Sequence, residues 1–340
     1  MRDLIVAGGG PVGLATALFA ARAGLDVLVR EPRRGVIDKA CGEGLMPGAM
    51  VLLAELGVDP PGRPLRGITY TDGTRTVTAA FRHGPGRGVR RTTLHASLRD
   101  AVAAAGIPVE QRAVRSVTSL VDRVLVDDDE ARYLVAADGL HSTVRGLVGL
   151  DVPARGSRRF GLRTHLEVPP WSEGVEVHWS LMSEAYVTPV SDRLVGIAVL
   201  SRVRGSLRDH LDSIPSLAPR LAGVELSAVR GAGPLRQRSR RRVAGRVLLV
   251  GDAAGYVDAL TGEGIAGGVA QGKAAVAAIA AGRAPSYERT WRMLTWRHDA
   301  LTHALLAASG AAPLRRRLVP AAAALPRVFD AAVNQLARPA

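Results

Sequence analysis

The sequence predicts an α/β fold, a Rossmann-like nucleotide domain joined to a discontinuous, mostly antiparallel β-sheet domain, and three observations predict it. A glycine-rich turn, Gly8-Gly9-Gly10-Pro11-Val12-Gly13, lies between a short apolar run and an Ala/Leu-rich stretch of helical length. Two more apolar runs end in the same manner, at Asp138-Gly139 and at Gly251-Asp252, each followed by a helix-forming segment. Between those two, residues 158–229 alternate apolar and polar side chains with the two-residue period of half-buried strands.

Taken in order, residues 3–7 form a buried strand, 12–23 a helix and 26–29 a second strand ending at Glu31. This is a βαβ unit with its glycines at the strand-to-helix turn. Pro47 opens a helix to residue 56, because a proline at the first helical position lacks only an N–H that has no partner there. Residues 68–81 alternate around Asp72-Gly73, a hairpin signal. An amphipathic helix over 92–105 stops at Gly106, and short strands follow to residue 126 and over 133–137. Strands are expected at 159–168, 175–179, 185–189 and 194–200, then a helix near 207–214. Residues 246–250 return to the buried-strand type, and the remainder is helical. The chain therefore leaves its first domain twice. Residues 1–65, 83–155 and 233–340 belong to the nucleotide domain and 66–82 and 156–232 to the second, with a cleft expected between them.

The length of 340 residues suits two domains, and 47% hydrophobic with 22% charged residues describes a globular chain. No apolar run reaches the ~18 residues that cross a bilayer. Met1-Arg2-Asp3 passes directly into a strand, and the single cysteine, Cys41, excludes an internal disulfide and a cysteine-based metal cluster. These features predict a cytoplasmic protein. The formal charge of +14 is carried by arginine, with only Lys39 and Lys273 as lysines, and aromatic residues make up 4%. Scattered arginines without aromatic platforms or a binding motif argue against a nucleic-acid partner. A basic face that attracts an anionic small molecule is the expected use of the charge. Arg315, Arg316, Arg317 and Arg327 stand among apolar residues in 313–336, the pattern of a helix that either caps the domain or touches a membrane surface.

The three turns carry the chemistry. Gly8 permits a tight turn, Gly10 lets the backbone approach a diphosphate, and Gly13 allows close helix–strand packing. The helix that starts at Pro11-Val12 turns free N–H groups and a positive dipole end to the phosphates, and Glu31 can accept hydrogen bonds from the adenosine ribose. Asp138 and the Gly251-Asp252 pair each end a strand, where a carboxylate can hold sugar-like hydroxyls. The helix start around Gly262, Gly264 and Ile265 can stabilise negative charge on a reduced flavin. Each turn alone is an ordinary strand-to-helix connection; together they predict one FAD site.

These motifs resemble, over nearly the whole chain, the p-hydroxybenzoate hydroxylase-like superfamily, which unites class A flavin monooxygenases with geranylgeranyl reductases. The resemblance implies that Asp138 lies near both FAD and NAD(P)H, that Asp252 binds the ribityl chain, and that Arg91 contacts the flavin. It also implies non-covalent FAD with NAD(P)H as a transient reductant. Lys39-Ala40-Cys41-Gly42-Glu43-Gly44-Leu45-Met46-Pro47 is similar to the reductases' Cys-Gly-Gly/Asp-Gly-Leu-x-Pro segment, as are Gly255 and residues 261–265 to that branch. Two positions depart from it: the reductases' Tyr-x-Trp-x-Phe-Pro strand is Tyr186-Val187-Thr188-Pro189 here, and Ala259 replaces a proline.

The implied reaction site contains Cys41, Glu43, Tyr186, Pro189 and residues 259–262, with Cys41 either chemical or a packing residue. His95, His165, His178 and His303 do not pair at metal-ligand spacing. No metal is expected, and only His178 is a candidate for the pocket wall. The favoured activity is an NAD(P)H-dependent FAD monooxygenase hydroxylating a small aromatic or polyketide-type substrate. The alternative is reduction of a C=C bond in an isoprenoid or polyketide chain, and a non-catalytic flavoprotein is the third reading.

Overall fold

A computed structural model describes residues 1–338 apart from 155 and 157. In chain order it contains β1 (Arg2–Ala7), α1 (Pro11–Arg22), β2 (Val27–Arg30), α2 (Pro47–Glu55), β3 (Gly67–Thr71), β4 (Thr76–Ala80), α3 (Arg91–Ala104), β5 (Asp129–Ala136) and α4 (Thr143–Leu147). There follow β6 (Phe160–Leu166), β7 (Val175–Trp179), β8 (Ser183–Ser191), β9 (Leu194–Ser201), α5 (Leu207–Asp212), β10 (Val247–Leu249), α6 (Gly264–Ala280), α7 (Tyr287–Gly310) and α8 (Pro326–Leu336). Shorter elements lie between these, among them the 3-10 turn Gly251–Ala254 and the two-residue strand Gly44–Leu45.

The expected α/β architecture is present. Strands β10, β5, β1 and β2 pair in parallel in that order. Leu4, Ile5, Val6, Leu134, Val135, Leu248 and Leu249 are fully buried, as parallel strands covered on both faces require, which is why they read as unbroken apolar runs. The Ala/Gly composition of α6 lets it lie directly on α1. A Cβ at Gly272 would stand 2.2 Å from Thr16 Oγ1, and one at Gly268 2.5 Å from a Val12 methyl.

The second sheet runs Arg230–Ala232, β6, β9, β8, β7, β3, β4, antiparallel except for the parallel β7–β3 pair. The Asp72-Gly73 hairpin thus joins a sheet whose other strands come from after residue 159. One face of this sheet packs Leu166, Val187, Ile197 and Val199 against Leu207 and Leu211 of α5; the other looks toward the nucleotide domain. The apolar side of α8 covers the hairpin, with Phe329 and Val333 on Val77 and Ala79. Among the described residues no helix is long and apolar enough to cross a membrane.

Two expectations shift. The helix start expected around Gly262, Gly264 and Ile265 falls at Gly264, because Gly262 adopts φ +71, outside the helical region. The domain boundary placed between 155 and 156 touches residue 155, which lies outside the described residues.

Candidate active site

The three turns converge because β1, β5 and β10 are neighbours and parallel, so Gly8–Gly13, Asp138-Gly139 and Gly251-Asp252 all leave the carboxyl edge of one sheet. That edge is where open α/β sheets bind ligands. A cavity of about 260 Å³ lies between it and the inner face of the second sheet, bordered by Gly10, Pro11, Val12, Arg91, Asp138, Gly251, Asp252, Gly262, Gly264 and Ile265.

Two glycines of the first turn, Gly8 and Gly13, have no substitute. Gly8 sits at φ +107 with Ala137 O 2.5 Å from where a Cβ would be, and a Cβ at Gly13 would stand 1.8 Å from Gly8 O. Glu31 accepts from Gly9 N (2.8 Å), Arg33 N (2.9 Å) and Arg33 Nε (2.7 Å). Burial alone would raise its carboxyl pKa, but the hydrogen bonds from Arg33 and Gly9 outweigh it and hold the group below the usual carboxylate range. His95, expected to be a surface or packing residue, braces this turn instead. Ile37 N donates to its Nδ1 (3.2 Å), which leaves Nε2–H to donate to Gly9 O (2.8 Å).

Arg91 opens α3 and is 7% exposed, and its Nη1 has no hydrogen-bond partner among the described residues. A buried guanidinium with an unused N–H, beside a turn that cannot carry side chains, fits the diphosphate of FAD. Asp138 is partly committed: Oδ1 accepts from Ser142 Oγ (2.6 Å) and Oδ2 from Val144 N (3.0 Å), capping α4. Arg145 then ties the second turn to the third, donating to Leu140 O (3.3 Å) and to Ala253 O (3.2 Å). Gly251, at φ +59, donates its N–H to Gln271 Oε1 (2.8 Å). Asp252 is half-buried, and burial raises its pKa against the opposing pull of Lys39, whose Nζ is 4.0 Å away. Its oxygens accept no side-chain hydrogen bond within 3.5 Å among the described residues, so they are free for hydroxyl donors.

At the other end, Cys41, Glu43 and Tyr186 border the same cavity. Glu43 is buried at φ +61. Its Oε1 accepts from Arg91 N (2.9 Å) and its Oε2 from His165 Nε2 (2.7 Å). The carboxylate lies over Gly196, where a Cβ would stand 2.7 Å from Oε2. Thr188 Oγ1 donates to Gly42 O (2.8 Å), and Tyr186 Oη donates to Leu260 O (2.8 Å). These contacts clamp both loops of the nucleotide domain to the second sheet. Cys41 Sγ accepts only the Glu43 N–H (3.4 Å), and burial raises its thiol pKa.

Other expected members lie elsewhere. On β8 the two-residue period turns Tyr186 and Thr188 to the cavity and Val187 and Pro189 away from it, so Pro189 instead abuts Gly88 with its carbonyl. Of residues 259–262 only Ala259 and Gly262 border the cavity; Leu260 packs with Val175 and Trp179, and Thr261 Oγ1 is 2.7 Å from His298 Nε2. His178 is not in the wall, being held by Glu176 (3.0 Å) and Ser216 (2.8 Å). Sequence reasoning missed His165, Arg163 and Thr188. For the first two the available signal was a pair of polar residues of equal parity on β6. Glu263, beside the flavin-facing turn, borders a second cavity of about 870 Å³ between α6 and α7, where burial pushes its pKa up to about 8.

Three converging strand ends, a diphosphate cradle and a cleft facing a second sheet define an FAD-dependent oxidoreductase. The chain belongs to the FAD binding domain family, which matches residues 1–285. It is similar to a menaquinone reductase of Mycolicibacterium smegmatis, 28% identical over 333 residues that cover 88% of this chain and 81% of that protein. It is likewise similar to digeranylgeranylglycerophospholipid reductase 1 of Methanothermobacter thermautotrophicus, 28% identical over 337 residues, 85% of this chain and 82% of the relative. The solved structure of a p-nitrophenol 4-monooxygenase from Pseudomonas putida shares the fold, with TM-score 0.79 over 99% of this chain and 98% of that one at 18% identity.

Proposed function

We propose that this flavoenzyme reduces a C=C bond in an apolar isoprenoid-type or polyketide chain, with the Cys41 thiol as proton donor and NAD(P)H as the source of electrons. One observation carries the reading. Cys41 borders the cavity with a half-buried thiol whose pKa burial raises, while the carboxylates of Glu43 and Asp138 on the same cavity already have both oxygens engaged. Hydroxylation of a phenolic ring calls for a base at the ring hydroxyl, and these carboxylates are spent on structure. Saturation of a double bond calls for an acid near carbon, and the thiol is one. That the menaquinone reductase and the digeranylgeranylglycerophospholipid reductase named above are reductases by name supports the same choice over the monooxygenase reading.

FAD, when bound and reduced, would supply the hydride that such a reduction requires at one alkene carbon. Cys41 gives its proton to the other carbon, and the thiolate recovers a proton from water, which balances the addition of two hydrogens. Glu43 and Tyr186 act here as positioning residues, holding the 41–46 loop and the 259–262 turn against the substrate sheet. The cavity wall of Leu140, Ala198, Leu200 and Leu235 receives the apolar chain and excludes water.

The test is mass spectrometry of products from geranylgeranyl-chain substrates and from alkylphenols, with NADH or NADPH, with and without oxygen. A product heavier by two hydrogens in the absence of oxygen is expected. A product heavier by one oxygen atom, formed only in air, would replace this reading with hydroxylation.

A further inference from the structure

We propose that Arg163 is the anchor for a substrate oxygen: the substrate presents a carbonyl or phenolate oxygen, conjugated to its reacting carbons, to the Nε–H of Arg163 in the wall of the cavity. The inference rests on the cavity being the substrate's site, as proposed above, and narrows the substrate to an apolar body with one fixed oxygen acceptor.

The position of Arg163 follows from the register of the second sheet. On β6 it stands opposite Ala198 of β9, which stands opposite Tyr186 of β8. The next row toward the 41–46 loop is His165, Gly196 and Thr188, and it is filled by the Glu43 carboxylate and the Gly42 carbonyl. Arg163 therefore lies in the first row that opens on the cavity, and around it that wall is apolar, formed by Leu162, Ala198 and Leu200.

The side chain is held without being satisfied. It is 2% exposed; Nη2 pairs with Asp38, and Nη1 donates to His165 Nδ1 (3.2 Å). Both ends of the guanidinium fork are thus fixed, and its Nε is buried with no acceptor. Three other unpartnered buried arginine Nε atoms have a carboxylate at hand, Arg159 Nε 3.0 Å from Asp258, Arg123 Nε 3.5 Å from Glu130 and Arg30 Nε 3.8 Å from Glu110, while Arg202 and Arg242, whose Nε atoms are also unpartnered, do not border this cavity. Among the described residues the one carboxylate paired with the Arg163 guanidinium is Asp38, held through Nη2. Asp38 is shared with Arg230 (3.3 Å), and Glu43 is taken by His165 and the Arg91 N–H, so the positive charge has no second counter-ion.

Two buried guanidinium groups with an unused N–H therefore border this cavity, Arg91 on the side of the glycine turn and Arg163 on the opposite wall. The first fits the FAD diphosphate. The second meets whatever lies between flavin and sheet, and a desolvated cation donor in an apolar wall selects an oxygen bearing negative charge or a strong dipole. In a reduction, hydride enters at the β-carbon of an unsaturated carbonyl, the electron pair moves onto oxygen facing Arg163, and the Cys41 proton returns to the α-carbon. Arg163 is close enough for its charge to act on the Cys41 thiol, which places the oxygen anchor and the acid on one substrate.

Binding to the oxidised holoenzyme tests this without turnover. A 3-alkylcyclohex-2-enone and the 1-alkylcyclohexene of the same chain length are titrated against flavin absorbance. The ketone should bind about tenfold or more tightly than the hydrocarbon, as expected for a hydrogen bond to a charged group. In Arg163→Met, with FAD retained, the two affinities should converge while that of the hydrocarbon stays as it was. Arg163→Lys keeps the cation beside Asp38 but lacks Nε, and should lose most of the preference; it decides the matter if Arg163→Met comes without flavin. Equal affinities in the unaltered protein, or an undiminished preference in whichever variant holds FAD, would overturn the assignment. Because oxidised enzyme reduces nothing, this result stands or falls separately from the choice between reduction and hydroxylation.

Discussion

At the dinucleotide end of the cleft the chain contributes backbone and the absence of side chains; at the reacting end it contributes side chains that cross between sheets. Gly8 and Gly13 press backbone against backbone at distances that admit no Cβ. Thr188, His165 and Tyr186 instead reach from the second sheet to Gly42, Glu43 and Leu260, each through a single hydrogen bond. The first construction tolerates no change, closed on itself by Gly8 and Gly13 and pressed against Ala137 at the end of the neighbouring strand. The second is adjustable one bond at a time, which suits a fold whose members share a cofactor and differ in substrate.

The largest effect should come from the rigid end. Gly13→Ala forces a Cβ to within van der Waals overlap of Gly8 O, and the strand-to-helix turn must open. Purification should yield little folded protein and no flavin absorbance; a yellow, folded variant would break the contrast drawn above. At the reacting end, Cys41→Ala should keep FAD and lower turnover roughly 10²-fold, the usual worth of a positioned acid. The unaltered enzyme needs the thiol form, and burial raises that pKa, so its rate should hold through neutral pH and fall only above the ordinary thiol range. The alanine variant should lose that alkaline limb.

Asp252→Ala sits between the two. It removes a charged acceptor for flavin hydroxyls, worth about 1.5–3 kcal/mol, so FAD should bind some ten- to hundredfold more weakly by fluorescence titration. Heat or acid should release the flavin from the unaltered protein, since the attachment is expected to be non-covalent. Full occupancy in the variant would detach Asp252 from the cofactor. The smallest effect belongs to Tyr186→Phe, which loses only the bond to Leu260 O, about 0.5–1.5 kcal/mol. Flavin content should be unchanged and KM and kcat shifted severalfold; a loss of flavin would mean that the clamp supports the cofactor as well.

By itself the sequence determined the parts that depend on adjacent residues. The Gly8–Gly13 turn, the Asp72-Gly73 hairpin, the proline-opened α2 and the buried parallel strands were legible because turn geometry and burial period are local properties. Cys41, Glu43 and Tyr186 were brought to one cavity as the resemblance implied, but their surroundings were not readable. Glu43 meets His165 across 122 positions, Tyr186 meets Leu260 across 74, and Arg145 joins Ala253 across 108. Which residue of a strand faces the cleft also escaped: Pro189 and Tyr186 lie three apart, an odd interval that puts them on opposite faces of β8. His95 and His165 read as unremarkable for the same reason, since a buried imidazole takes its role from the partner that folding delivers. Only the tertiary structure chose those partners, because they depend on strand register and on how two sheets close over each other, and no run of neighbouring residues encodes either.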